Sequence, residues 1–223
     1  MDIISFKALP NVHAAIIPIA NHETGIFSEE LASQNSTTPK RLAEFTSGRH
    51  LVHALQEQAG VSRSPVLRHP DRSPIWPQGC TGSISHSAQL AAAALTLDST
   101  IAGLGIDIEA RTRLNERLRN RLFTTSELQH IPQLEPLVEH ADVLTFSAKE
   151  AVYKAIYPIA GLMIGFKEVE ISIAEDSNEF RATYLPEPDS TTAHNLVLNS
   201  GKGYFRVIAG HTLTLFVIPA PSD

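Results

Sequence analysis

Two long helical patterns, one in each half of the chain, limit the fold classes open to this sequence. The first begins at Thr38 and Pro39, an N-cap followed by proline at the first helical position, and ends before Gly60. The second covers Val138–Tyr157 and is expected to be stopped by Pro158, which lacks the amide that a helix interior needs, and by Gly161. The apolar positions at helical spacing in the first pattern are Leu42, Phe45, Val52 and Leu55.

Predicted strands precede and follow both helices in the sequence. A capping box formed by Thr124 and Glu127 predicts one further short helix. Helix and strand occur in similar proportion in both halves, so we expect an α+β protein with two halves, residues 1–103 and 104–223. The predicted strands are Ala14–Ile19, Ser83–Leu97 (as one long or two short strands), Ile101–Ile108, Val169–Ile173, Phe180–Leu185, Asn195–Leu198, Tyr204–Ala209 and Leu213–Ile218.

Composition excludes several classes of protein. With 43% hydrophobic and 19% charged residues, the 223-residue chain has an ordinary globular composition. Its single cysteine, Cys80, rules out an intramolecular disulfide. No apolar run is long enough to span a bilayer, and Pro10 and Pro18 interrupt the first segment, which makes it a poor signal peptide. We therefore expect a soluble cytoplasmic protein.

The net charge of −6 argues against a general nucleic-acid binder. It also means that any strongly anionic ligand must be bound by a few well-placed cations and a metal ion, since the surface as a whole is acidic.

The first candidate site is the segment 105–109, Gly-Ile-Asp-Ile-Glu. On a strand Asp107 and Glu109 lie on one face, while Ile106 and Ile108 lie on the other. Two neighbouring carboxylates repel each other unless a cation lies between them, and hard oxygen ligands suit Mg²⁺. A solvated strand edge with two unrelated acids is the alternative, and so short a pattern does not decide between them.

The second candidate is the segment 146–154, Phe-Ser-Ala-Lys-Glu-Ala-Val-Tyr-Lys. On a helix Glu150 and Lys154 share a face, so the carboxylate could bind a metal ion and the ammonium a phosphate. The same spacing also describes a surface ion pair, worth only about 0.3–0.5 kcal/mol.

A third group of residues suits phosphate binding. Ser85 and His86 lie in the segment 83–87, Ser-Ile-Ser-His-Ser, which could also be a simple hydrogen-bonded turn. The arginines that precede it can form forked hydrogen bonds with phosphate oxygens, although each could equally be a surface residue. They are Arg41, Arg49, Arg68 and Arg72.

In combination, these motifs resemble the Sfp-type 4′-phosphopantetheinyl transferase superfamily, and within it the enterobactin-synthase-component-D-like branch. The resemblance rests on the segments 105–109 and 146–155, which lie about forty residues apart, and on 83–87. The segments 72–79, Arg-Ser-Pro-Ile-Trp-Pro-Gln-Gly, and 44–49, Glu-Phe-Thr-Ser-Gly-Arg, also match. Together the motifs span residues 40 to 155, and their order is far more specific than any one of them.

The resemblance implies two pseudo-symmetric halves packed side by side, with coenzyme A in the cleft between them. Position by position, it assigns Mg²⁺ binding to Asp107, Glu109 and Glu150. It assigns the 3′-phosphate end of coenzyme A to four residues of the N-terminal half and the pyrophosphate to Lys154. The four residues are Arg49, Arg72, Ser85 and His86. The family often has lysine in a Gly-Lys-Pro context where this chain has Arg72 before Ser-Pro.

The implied reaction is Mg²⁺-dependent transfer of 4′-phosphopantetheine from coenzyme A to a serine of an apo acyl or peptidyl carrier protein, with release of 3′,5′-ADP. Glu150, directly or through water, is the expected base, and Lys154 is expected to stabilise charge at phosphorus. The resemblance implies a monomeric enzyme that serves nonribosomal peptide, siderophore or polyketide synthesis. The alternatives are a broad-range synthase that also serves fatty-acid synthesis, another magnesium-dependent phosphotransferase, and a non-catalytic module that binds carrier proteins.

Overall fold

Antiparallel sheets with helices packed against them form both parts of the structure. The chain divides into the compact units Met1–Ser99 and Thr100–Asp223, and the predicted α+β class is confirmed. None of the helices in the described part of the chain is long and apolar enough to cross a membrane. The computed structural model describes residues 1–4, 9–34, 38–161, 164–174, 177–185 and 198–221.

A four-stranded sheet organises the first unit, with strand order β1-β2-β6-β5. Helix α2 packs on this sheet because small side chains such as Ala91 and Ala93 leave room for Leu51 and Leu55 of the helix. The elements are β1 (Asp2–Ile4), β2 (Val12–Pro18), α1 (Ser28–Ala32), α2 (Pro39–Gln58), β3 (Leu67–Arg68), β4 (Pro74–Ile75), β5 (Thr81–His86) and β6 (Leu90–Thr96), of which β3 and β4 form a separate ribbon.

A five-stranded sheet organises the second unit, with strand order β7-β11-β10-β9-β8. Helix α5 packs on β7 and β11, and its buried side chains share a core with Phe180 and Phe216 of the sheet. The elements are β7 (Ile101–Ala110), α3 (Glu116–Leu122), α4 (Thr125–Leu134), α5 (Ala141–Ala160), a 3-10 turn (Phe166–Glu168), β8 (Val169–Ile173), β9 (Glu179–Tyr184), β10 (Lys202–Ile208) and β11 (His211–Pro219).

Two glycines set the separation between α5 and β7. A Cβ atom at Gly105 would overlap the carbonyl oxygen of Ala151, and one at Gly103 would lie 2.6 Å from that of Ala155. Both positions therefore require glycine, and they allow the helix backbone to rest directly on the strand.

Most of the predicted elements are confirmed, among them Ser83–Leu97, where the two-strand alternative holds, and two are corrected. Helix α5 continues through Pro158 to Ala160, because a proline in the last turn removes only one hydrogen bond; of the two predicted stops, Gly161, with φ of 64°, ends the helix. Leu198, predicted as strand, lies in a helical turn, and 195–197 are outside the described residues.

Candidate functional site

A cavity of about 1040 Å³ in the first unit collects basic side chains from three regions of the chain. Helix α2 and strand β5 form part of its wall, and the β3–β4 ribbon completes it. The basic side chains that line it are Arg41, Arg49, Arg68, His69, Arg72 and His86. Such a concentration of guanidinium groups in an acidic chain is suited to a multiply charged anion.

Arg49 is the most deeply buried of these cations, only 5% exposed. Its guanidinium lies 4.6 Å from the centre of the Phe45 ring, and its Nη2 donates a hydrogen bond to Leu67 O at 3.4 Å. Burial lowers the pKa of Arg49 to about 10, and Arg68 contributes to the lowering, while the carboxylate of Glu30 opposes it. Arg49 therefore stays charged at neutral pH.

Glu44 is an acid inside this basic cavity. Its Oε2 accepts a hydrogen bond from Arg41 Nη1 at 2.9 Å and lies 3.7 Å from His86 Nε2. The buried carboxylate thus ties together two side chains from different elements, α2 and β5.

The backbone of Arg72 has φ of 75°, the left-handed region that residues other than glycine seldom adopt. The residue lies in the turn between β3 and β4, where its N–H donates to His69 O at 2.9 Å. The strained backbone places Arg72 at a turn position where glycine would be expected.

Ser85 is not among the residues that line the cavity. It is buried on β5, where neighbouring side chains alternate between faces, and Ile84 and His86 take the cavity side. The lining of this cavity therefore does not support the predicted contact between Ser85 and coenzyme A.

In the second unit, α5 and β7 bring an ammonium group next to a predicted metal ligand. Lys154 Nζ donates to Asp107 Oδ1 at 2.7 Å and to Ile106 O at 3.3 Å. Asp107 is 2% exposed and Glu109 is half-buried, so Asp107 does not lie on a solvated strand edge. Ile106 and Ile108 are fully buried, as expected for side chains that enter the core, but Asp107 between them is buried as well, so burial does not alternate along this part of β7.

The three predicted metal ligands are coupled electrostatically. Burial, and then repulsion from Asp107, raises the pKa of Glu109 to about 7; Glu150 also raises it, against the attraction of Lys154. Burial likewise raises the pKa of Glu150, with Asp107 adding to the effect and Lys154 opposing it. Among the residues that the structure describes, no three His, Cys, Asp or Glu side chains form a group that could hold a metal ion.

Two family patterns match the chain. Residues 28–96 match "4'-phosphopantetheinyl transferase N-terminal domain", and residues 103–210 match "4'-phosphopantetheinyl transferase superfamily". The 4'-phosphopantetheinyl transferase Svp of Streptomyces mobaraensis is 33% identical over 201 residues, which is 88% of this chain and 80% of Svp. The chain belongs to the 4′-phosphopantetheinyl transferase superfamily.

Other relatives agree with this assignment. The 4'-phosphopantetheinyl transferase PptT of Mycobacterium tuberculosis is 27% identical over 220 residues, 92% of this chain and 97% of PptT. Enterobactin synthase component D of Salmonella typhi is 38% identical over 119 residues, but the match covers only 52% of this chain and 48% of that protein. This superfamily member is accordingly an enzyme, a transferase.

The sequence alone did not reveal what Lys149 does in this transferase. Its Nζ donates to Phe166 O and Val169 O, both at 2.6 Å, and lies 2.7 Å from Glu127 Oε2. Glu127 also closes the predicted capping box by accepting from the N–H of Thr124 at 2.8 Å. Lys149, one residue before Glu150, thus ties α5 to α4 and β8.

An apolar pocket of about 390 Å³ opens beside Glu150 in the same unit. Tyr153, Ile156 and Phe166 are among the side chains that line it. No sequence signal indicated this pocket, because its lining comes from α5 and from the separate segment around Phe166.

Proposed function

We propose that this enzyme transfers 4′-phosphopantetheine from coenzyme A to a serine of an apo carrier protein and releases 3′,5′-ADP, in a reaction that requires Mg²⁺. The observation that carries the proposal is the arginine cavity of the first unit, together with the paired Asp107 and Lys154 of the second. The superfamily membership supports the same reaction.

The cavity suits the 3′-phosphate end of coenzyme A. Arg49 and Arg72, both expected from the sequence, line it together with His86. Arg41 and Arg68 line it as well and are added to the proposed contacts. A phosphate dianion there would gain charge-assisted, forked hydrogen bonds, which are stronger than neutral ones.

The acids of the second unit fit Mg²⁺ in their chemistry. Asp107, Glu109 and Glu150 supply only hard carboxylate oxygens, and their mutual repulsion is the kind that a divalent cation relieves. When bound, Mg²⁺ would supply Lewis-acid stabilisation of the pyrophosphate. We propose that these three residues hold it, which requires their side chains to rearrange, because in the described arrangement they do not form a group that could hold a metal ion.

The protein's own groups orient and deprotonate the reactants. We propose that Lys154, held beside Asp107, places positive charge where the pyrophosphate accumulates negative charge. The raised pKa of Glu150 suits a base that takes the proton of the carrier serine, directly or through a water molecule. The bond from that serine oxygen to phosphorus forms as the bond to 3′,5′-ADP breaks.

The pantetheine arm continues from the pyrophosphate, so it must leave the site near these acids. The apolar pocket beside Glu150 is a volume that could receive it. We propose this pocket as its binding site.

We propose further that the enzyme is a cytoplasmic monomer serving nonribosomal peptide, siderophore or polyketide synthesis. The match to a protein named enterobactin synthase component D supports that pathway class. A broad enzyme that also serves fatty-acid synthesis is the second candidate, and the same assay distinguishes the two.

Intact-mass measurement of apo carriers incubated with the enzyme, coenzyme A and Mg²⁺ is the direct test. We expect one phosphopantetheine to be added to peptidyl carriers, with a lower rate on the fatty-acid carrier. Equal rates on both would favour the broad enzyme. The absence of any mass gain, in a reaction where a known transferase modifies the same carriers, would refute the proposal.

A further inference from the structure

The carboxylate of Glu30 lies next to Arg49 of the arginine cavity and has so far been given no role. Glu30, on the short helix α1, is fully buried, whereas its neighbour Glu29 on the same helix is exposed. A buried carboxylate is costly unless several donors satisfy it.

Glu30 is satisfied by one donor at the start of its own helix and by two donors from distant segments. Its Oε1 accepts from His53 Nε2 at 3.1 Å and from the N–H of Val66 at 2.7 Å, and its Oε2 accepts from the N–H of Phe27 at 3.1 Å. The other ring nitrogen of His53, Nδ1, lies 3.1 Å from Arg63 Nη2, which can only donate, so His53 donates to Glu30. Burial raises the pKa of Glu30, but these hydrogen bonds more than offset it and the pKa is lowered, so the carboxylate is charged.

The same oxygen, Oε1, lies 3.7 Å from Arg49 Nε. The Nε edge of Arg49 therefore faces the carboxylate, while the side chain also lines the cavity. An arginine buried this deeply needs a counter-charge, and Glu30 supplies it from the side away from the ligand.

We infer that Glu30 is a positioning residue for coenzyme A: it holds the guanidinium of Arg49 in the orientation that faces the 3′-phosphate. The inference rests on the proposed function, because it takes the cavity to be the site of that phosphate. A purely structural role would instead affect every donor substrate equally.

The test compares kcat/KM for coenzyme A and for 3′-dephospho-coenzyme A, which lacks only the group that Arg49 would bind. In Glu30→Gln we expect kcat/KM for coenzyme A to fall roughly tenfold to a hundredfold, mainly through KM, and the value for the dephospho substrate to be unchanged. Glu29→Gln, the same substitution one residue away at an exposed position, is the matched control and should keep the wild-type ratio. Equal losses on both substrates, or none, would overturn the inference.

A double variant tests whether Glu30 acts through Arg49. In an Arg49→Ala background, Glu30→Gln should change the substrate ratio no further, and an additional loss would contradict the inference. Should Glu30→Gln fail to fold, Glu30→Asp keeps the charge but withdraws it by one methylene group, and a smaller loss of the ratio is expected; an unaltered ratio would overturn the inference.

The experiment also separates this inference from the proposed function. A wild-type enzyme that does not distinguish the two donors would overturn the assignment of the cavity and the role of Glu30 with it. A wild-type enzyme that distinguishes them, with the same ratio in Glu30→Gln, overturns the role of Glu30 alone.

Discussion

Replacing Lys149 by methionine should destabilise the second unit more than any surface substitution there. The side chains of Lys149 and Glu127 are 1% and 2% exposed, so the substitution leaves a buried carboxylate without its cation. It also leaves the carbonyl oxygens of Phe166 and Val169 without the donor they share. Removing one partner of such a pair costs roughly 3–5 kcal/mol, which corresponds to a fall in melting temperature of about 10 °C or more.

The assay is thermal unfolding followed by circular dichroism, with Lys167→Met as the control. Lys167 is exposed on the 3-10 turn, and the same substitution there should change the free energy of unfolding by less than about 0.5 kcal/mol. Combining Lys149→Met with Glu127→Gln should cost less than the sum of the two single changes, because the stranded charge is then removed. If Lys149→Met unfolds at the same temperature as Lys167→Met, the buried pair does not stabilise the unit and the reasoning fails.

Three further predictions concern the two candidate sites. Asp107→Asn keeps an oxygen for Lys154 but loses the charge, so transfer should fall by roughly 10² or more in a mass assay with little change in melting temperature; retained activity would contradict the metal assignment. Arg72→Gly removes a strained positive φ and should raise stability by about 1 kcal/mol while raising KM for coenzyme A, and an unchanged KM would exclude Arg72 from the site. Because burial and Asp107 raise the folded pKa of Glu109 from 4.5 to about 7, the metal-free protein should lose stability as the pH rises through that interval. Mg²⁺ should then raise the melting temperature more at about pH 8 than at about pH 5, and an equal shift at both would argue against binding by these acids.

Local sequence signals predicted what depends on neighbouring residues. The capping box of Thr124 and Glu127 and the start of α2 after Thr38 both follow from hydrogen bonds made within one turn, and both are present. The common face of Asp107 and Glu109 follows from strand alternation alone.

Contacts between distant segments could not be predicted in this way. The ion pair of Lys149 with Glu127 joins residues 22 positions apart, and the hydrogen bond from Val66 to Glu30 joins residues 36 positions apart. The pattern of apolar residues along the chain does not indicate which charged side chains will be buried. Both Pro158 and Gly161 can end a helix, and residue preferences alone do not decide which of the two ends α5. The convergence of arginines from α2 and the β3–β4 ribbon depends likewise on tertiary packing.

The close approach of α5 to β7 at Gly103 and Gly105 has a practical consequence for engineering this enzyme. Since α5 carries Glu150 and Lys154 and β7 carries Asp107, the gap between helix and strand sets the spacing of these three proposed site residues. A methyl group at position 105 would force α5 away from β7, and Glu150 and Lys154 would move together with the helix. Libraries meant to broaden carrier choice should therefore leave these two positions unvaried and diversify elsewhere.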